Sequence, residues 1–259
     1  MRAPGPMIVK RTRQPIDIVE AESGDLAEAP PGRSIDGTPA RTRVLIVDDH
    51  RSFAEALVIA INYHDDLLSV GAVPSIAEAI ACLETAEPDV VLMDVRLPDG
   101  DGIEATERLL LLRPDTRVVI LTGHTDVDVL ARAATAGASG FLPKESTIGS
   151  VIHAIRTARG GEMLVEGTTL AAILGRVASS VSATQRAGVD PILLTPREAD
   201  VLLLMGQGMD PHAIATSLGI SLHTCRGYQK GIMGKLDAHS QLEAVVVATR
   251  RGLLPRLAG

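Results

Sequence analysis

Five side chains in this 259-residue chain could do chemistry together: Asp48, Asp49, Asp94, Thr122 and Lys144. Each stands directly after, or within two residues of, a short apolar run. Asp48 and Asp49 follow RVLIV (43–47), and Asp94 follows DVVLM (89–93). Thr122 closes RVVIL (117–121), and Lys144 follows SGFL (139–142). Clustered carboxylates raise one another's pKa values unless a cation is present. An all-oxygen acidic site with room for waters suits Mg²⁺. A lysine adds charge compensation and a threonine adds a hydroxyl donor. That set of groups describes phosphoryl transfer to a carboxylate oxygen. Taken singly, a DD pair after a strand reads as a solvated loop or a helix cap, and a lone Thr or Lys at a strand end reads as structural. The chemistry rests on all five standing at successive strand ends.

The elements that position them follow from spacing. A further apolar run, SVGAV (69–73), brings the number of candidate strands to five, and stretches such as 52–62 and 76–86 carry helical apolar spacing between them. Strands alternating with helices indicate βαβ units around a parallel sheet covered on both faces. The expected fold over 42–158 is a flavodoxin-like α/β domain with strand order 2-1-3-4-5. Ligands of such sheets bind outside the carboxyl ends of the strands, and strands 1 and 3 are neighbours at the switch point. The three carboxylates therefore converge there.

The remainder divides by composition. Residues 1–41 hold six prolines, balanced charge and no sustained apolar period, so a disordered N-terminal extension is expected. Residues 159–190 read as a linker. Leu170, Ala171, Ile173, Leu174 and Val177 suggest a short helix near 168–178, and SSVSATQRAGVD (179–190) suggests a flexible stretch. Residues 191–259 read as a four-helix, all-α domain. Thr195-Pro196-Arg197-Glu198 is a capping box with proline at the first helical position, and Asp210-Pro211 starts a second helix in the same way. Gly219 ends that helix, Ser221 can cap a third, and a fourth falls at about 240–251. Two short helices joined by a tight glycine-containing turn form a helix-turn-helix.

The third of these helices, TCRGYQKGIMGKL (224–236), is the least regular. Cys225, Ile232 and Leu236 share one face, but Gly227, Gly231 and Gly234 interrupt it. Together they forgo about 2–3 kcal/mol of helix propensity, so a helix only partly ordered in the free protein is expected. Arg226, Lys230 and Lys235 make it basic.

Bulk properties narrow the class. Aromatics are 2% of residues and Trp is absent, so the core must be built from aliphatic side chains. Cys82 and Cys225 lie far apart and match neither a metal pattern nor a disulfide framework. No run is long enough to span a bilayer, and the basic N-terminus lacks a following apolar segment. A cytoplasmic protein with no membrane partner is expected. The net charge of −7 conceals a division: residues 42–158 carry 9 basic and 18 acidic side chains, whereas 191–259 carry 7 basic and 5 acidic. An acidic half joined to a mildly basic one fits a regulatory domain attached to a nucleic-acid module.

The blocks VLIVDDH, VVLMDVRLPDGDG, VVILTG and GFLPK, spread over about residues 43–158, resemble the signature blocks of bacterial response-regulator receiver domains. The resemblance implies that Asp94 accepts phosphate from a sensor histidine kinase. Asp49 and Asp94 would bind Mg²⁺ directly with the backbone carbonyl of Arg96, and Asp48 through water. Lys144 would hold the phosphoryl group. Thr122 and Phe141 would be the switch pair, and Gly123 would leave access to the aspartate. One departure is Glu145 after Lys144, where many receivers have proline, so no cis peptide is expected there. By this resemblance the chain is not an enzyme beyond catalysing its own phosphorylation and dephosphorylation.

LTPREADVLLLMGQGMDPHAIATSLGISLHTCRGYQKGIMGKL (194–236) resembles the LuxR-type helix-turn-helix. The pair of domains resembles the NarL/FixJ class of response regulators. The resemblance implies that the third helix enters the major groove of double-stranded promoter DNA. Arg226, Gly227 and Lys230 match base-contact positions, Thr224 and Lys235 suit phosphates, and Tyr228 stands where the family often has histidine. Gly227 lowers base discrimination or permits closer backbone approach. Arg226 and Lys230 also admit a plainer reading as a solvated basic face. The stripe Leu242, Val245, Val246 and Thr249 reads either as the contact between readers on two half-sites of a homodimer or as a core face. The expected function is a phosphorylation-controlled transcription regulator. The competing expectation is a phosphorylation-gated module whose helix-turn-helix binds a protein. Steep salt dependence would mark the DNA binder.

Overall fold

The computed structural model describes residues 41–123, 126–180 and 192–254. The N-terminal segment expected to be disordered lies, up to residue 40, outside the described residues, as do linker residues 181–190. Five parallel strands form the sheet: β1 (Thr42–Val47), β2 (Leu67–Val73), β3 (Val90–Asp94), β6 (Arg117–Thr122) and β7 (Gly140–Pro143). Their order, β2-β1-β3-β6-β7, is the expected 2-1-3-4-5 arrangement. Helices α1 (Arg51–Asn62) to α5 (Ile148–Arg159) connect and cover them: α2 (Ile76–Ala86), α3 (Gly102–Leu112) and α4 (Val127–Thr135) lie between.

The central strands are apolar throughout because both faces are buried. Successive side chains point to opposite faces. Leu45, Val91, Met93, Val118 and Ile120 therefore enter one core with α2 and α3. Val44, Ile46, Leu92, Val119 and Leu121 enter another with α1 and α5. Ser75, Asp101, Asp126 and Thr147 cap α2 to α5, each accepting a backbone N–H of the first turn.

A two-stranded hairpin, β4 (Arg96–Leu97) with β5 (Gly100–Asp101), follows Asp94. Its tightness depends on glycine. Gly100 has φ +153°, and a Cβ on Gly102 would stand 1.8 Å from the Asp94 carbonyl oxygen.

Beyond α5 come α6 (Gly167–Ser180), α7 (Pro196–Gly206), α8 (Pro211–Leu218), α9 (Leu222–Leu236) and α10 (Gln241–Arg250). Thr195 and Glu198 form the capping box of α7, and Pro196 opens it. Asp210 caps α8, and Gly219 ends it in the left-handed region at φ 64°. Ser221 caps α9 by accepting the Thr224 N–H. Helix α9 is continuous despite its glycines, because Cys225, Ile232 and Leu236 are fully buried. One glycine has a packing reason: a Cβ on Gly231 would meet Glu198 Oε1 at 3.2 Å. At Gly227 and Gly234 a Cβ would meet nothing described within 4 Å.

A third core runs through both halves of the chain. Leu130, Ala131 and Ala134 of α4 pack with Leu170, Ile173, Leu174 and Val177 of α6, and the cluster continues through the interiors of α7 to α10. Polar contacts seal the same seam. Arg117 donates to the His239 carbonyl, Ser240 Oγ donates to the Ala138 carbonyl at 2.9 Å, and Arg250 donates to Thr135 Oγ1 at 2.8 Å. No helix among the described residues is long and apolar enough to cross a membrane.

Candidate functional site

Asp48 follows β1 and Asp94 ends β3, at the carboxyl edge of adjacent strands. Both are nearly inaccessible, at 2% and 5% exposure. Lys144 reaches in from the end of β7, and its Nζ lies 2.7 Å from Asp48 Oδ2 and 2.7 Å from Asp94 Oδ2. Burial works against the charge on Lys144, but its hydrogen bonds to the two carboxylates outweigh that and hold its pKa above the ordinary lysine value. Thr122, 3% exposed, ends β6 beside it, and its carbonyl accepts the Lys144 N–H at 2.9 Å.

Asp49 stands at the mouth of the pocket. Its carboxylate, those of Asp48 and Asp94, and the His50 ring offer ligand atoms within 4.8 Å of one another. His50 Nδ1 lies 3.1 Å from Asp48 Oδ1 and 2.9 Å from Asp49 Oδ1. Three carboxylates at that spacing fit a hard divalent cation. Arg96 N–H approaches Asp94 Oδ1 at 3.4 Å, which keeps the start of the β4–β5 hairpin beside the pocket. A Cβ at Gly123 would meet nothing described within 4 Å.

Sequence reasoning did not single out several supporting residues. His50 joins the acidic cluster, and the Lys144 ammonium sits 5.7 Å from the centre of the Phe53 ring. Asp99 accepts the Ile76 and Ala77 N–H groups at 2.9 Å each, tying the hairpin to the start of α2. Those two bonds hold the Asp99 carboxyl below its ordinary value. Gly102 lets the chain turn back under Asp94. The run PDGDG was the available signal for the last two.

Phe141 is half-buried and packs against both the receiver core around β3 and β6 and the shared core of α4, α6 and the reader. It is the point where the sheet beside the pocket meets the seam.

Three basic residues of the reader, Arg226, Lys230 and Lys235, lie on α9. Arg226 is exposed, with Nη2 3.0 Å from Glu162 Oε1. Lys230 is exposed, and Gly227 faces open space. Thr224 sits in the first turn, where its Oγ1 is 2.8 Å from Ser221 Oγ. Tyr228 is half-buried against the shared core. Lys235 Nζ donates to Glu198 Oε2 at 2.6 Å and to the Leu193 carbonyl at 3.2 Å, inside the reader. Leu242, Val245 and Val246 are fully buried in the shared core, with Thr249 beside them donating to the Val245 carbonyl.

Residues 44–156 match the family described as response regulator receiver domain, and residues 193–248 match bacterial regulatory proteins of the luxR family. The DNA-binding transcriptional activator DevR/DosR of Mycobacterium tuberculosis is 33% identical over 80% of this chain and 94% of its own length. The chain is a two-component response regulator of the NarL/FixJ class. The regulator is also 30% identical to the transcriptional regulatory protein YdfI of Bacillus subtilis, over 82% of this chain and 97% of that one. A crystal structure of a LuxR-family response regulator from Aurantimonas sp. SI85-9A1 is 28% identical, with a TM-score of 0.49, over 53% of this regulator and 98% of that chain. The two family matches fall on the two halves that the shared core joins.

Proposed function

We propose that phosphorylation of Asp94 opens the shared core and frees the reader for promoter DNA. A sensor histidine kinase delivers the phosphoryl group: the N–P bond of its phosphohistidine breaks and an O–P bond forms to an Asp94 carboxylate oxygen. Asp49, Asp94 and the Arg96 carbonyl would hold Mg²⁺ directly, with Asp48 acting through water. The cation, when bound, neutralises charge on the transferred group. Lys144 then exchanges part of its contact with Asp94 for the phosphoryl oxygens, and Thr122 turns its hydroxyl toward them. Hydrolysis by water, returning phosphate and the free carboxylate, resets the site.

The observation that carries this reading is the position of Phe141, packed in the receiver core and in the shared core at once. A change in the room beside Thr122 moves that ring, and the ring is part of the seam. Opening the seam uncovers Leu242, Val245 and Val246 of α10, which then pair two copies as a homodimer on adjacent half-sites. Helix α9 enters the major groove, with Arg226 and Lys230 on base edges or phosphates, Thr224 and Lys235 on phosphates, and Tyr228 against the backbone. Gly227 leaves one base position unread. The LuxR-family match and the description of DevR/DosR favour DNA over a protein partner for this helix. The regulator works in the cytoplasm.

Footprinting of genomic fragments with and without a small-molecule phosphodonor tests the switch. Wild type should gain protection with the donor, while Asp94→Asn should take up no phosphoryl group and gain none. Equal footprints from the two proteins under phosphodonor would remove the switch.

A further inference from the structure

The first residues of the linker form a strap between the edge strand β7 and the reader. Glu162 N–H donates to the Thr157 carbonyl at 3.1 Å, fixing the strap to the end of α5. Two residues on, Leu164 N–H donates to the Ser139 carbonyl at 3.1 Å and the Leu164 carbonyl accepts the Phe141 N–H at 3.3 Å. Leu164 thereby pairs in parallel with Gly140 at the edge of β7. This approach requires glycine: a Cβ on Gly140 would stand 2.4 Å from Leu164 Cβ and 2.6 Å from its carbonyl oxygen. The strap is thus bonded to the backbone of Phe141 itself.

From the same strap Glu162 accepts a hydrogen bond from Arg226, the cation of α9 that best suits a base edge or phosphate. A carboxylate presents two oxygen acceptors to a guanidinium, as a phosphate does and as guanine does with O6 and N7. We propose that Glu162 is a built-in stand-in for DNA, occupying Arg226 in the unphosphorylated chain and withdrawn when β7 rearranges. The proposal rests on the reading of Arg226 as a DNA contact and of Asp94 as the phosphoacceptor. It adds a named competitor to the general covering of the reader. It also adds a backbone route from the switch aromatic to the reading arginine.

The test uses the full chain and a mixed-sequence library of genomic duplexes at one fixed salt concentration, because affinity shifts steeply with salt. Wild type, Glu162→Gln and Gly140→Ala are compared with and without beryllofluoride plus Mg²⁺ as the phosphoryl mimic, and Leu164 amide exchange is followed in the same samples. An exposed ion pair is weak, so without the mimic Glu162→Gln should bind about two- to fivefold more tightly than wild type. With the mimic the two should bind equally. Gly140→Ala, which lifts the whole strap, should exceed Glu162→Gln and show fast Leu164 exchange without the mimic; wild type should show fast exchange only with it. Equal binding by wild type and Glu162→Gln without the mimic overturns the stand-in role. So does an advantage for Glu162→Gln that persists undiminished with the mimic, which marks simple repulsion between Glu162 and DNA. Leu164 exchange that stays slow in wild type with the mimic overturns the release. Absence of DNA binding by every protein in both states overturns the DNA reading along with the stand-in role, and is distinct from binding that ignores Glu162.

Discussion

The pocket at the ends of β1 and β3 and the exposed face of α9 both carry charged groups suited to phosphate, but they are held in opposite ways. In the pocket, Asp48 and Asp94 are almost fully buried and share one ammonium, Lys144, at 2.7 Å each. On α9, Arg226 is exposed and meets an acid from outside its own domain, Glu162. Buried charges must be paired to be tolerated at all. Exposed pairs are worth little and exchange readily. The pocket pairs are therefore held firmly in place, whereas the α9 pair is of the kind that exchanges readily. Lys235 makes the contrast sharper, since it lies on the same helix yet pairs with Glu198, which is 7% exposed, inside the reader.

The largest effect should come from Gly102→Ala. The new Cβ would stand 1.8 Å from the Asp94 carbonyl oxygen. The backbone must move, so chemical denaturation should show a loss of about 2–4 kcal/mol. Phosphoryl uptake should fall with it; near-normal stability would show that the hairpin can be remade around a side chain. Next, Arg226→Ala should weaken DNA binding of the phosphorylated regulator by about 1–3 kcal/mol, leaving thermal stability nearly unchanged. A large loss of stability would make Arg226 a structural group.

A smaller effect is expected for Lys144→Met. Removing a partner from a buried pair costs about 3–5 kcal/mol, but solvent at the pocket mouth reduces this to about 1–2 kcal/mol. Melting in metal-free buffer should show the loss, and Mg²⁺ should restore more stability to the variant than to wild type. A loss that Mg²⁺ leaves untouched would mean that the ammonium and the cation do not share the site.

The smallest effect concerns Lys235→Met. The hydrogen bond from Lys235, followed by that from the Thr195 backbone, holds the Glu198 carboxyl below its ordinary value. A depressed carboxyl lends stability above its unfolded pKa and loses it as pH falls through its folded value. Melting temperatures from neutral pH down to about pH 3 should therefore fall less steeply in Lys235→Met than in wild type, by well under about 1 kcal/mol. Identical profiles would show that Thr195 alone sets Glu198.

Much of the fold was legible because its signals are local. Strands buried on both faces must be apolar at every position, so RVLIV, DVVLM and RVVIL declare themselves. Caps such as Thr195-Pro196-Arg197-Glu198 satisfy orphan N–H groups within one turn and can be read without tertiary knowledge. The carboxylate convergence was also legible, since strand ends and strand order locate Asp48 and Asp94. The β4–β5 hairpin was missed because each strand has only two residues, too few to show a period. His50 was missed because its place in the cluster depends on a ring orientation, which spacing does not specify.

By itself, then, the sequence determined the two kinds of domain, the order of their elements and the acid cluster, because hydrophobic period, caps and strand ends act over a few residues. Only the tertiary structure decided that the α10 stripe is buried in a core shared with α4 and α6. The stripe reads equally well as a core face or a dimer face, and the choice depends on what packs against it. Only the tertiary structure paired Arg226 with Glu162, 64 residues apart, or placed Leu164 where Gly140 must lack a side chain. Contacts across that distance follow from how domains close on each other, and no local pattern encodes that closure.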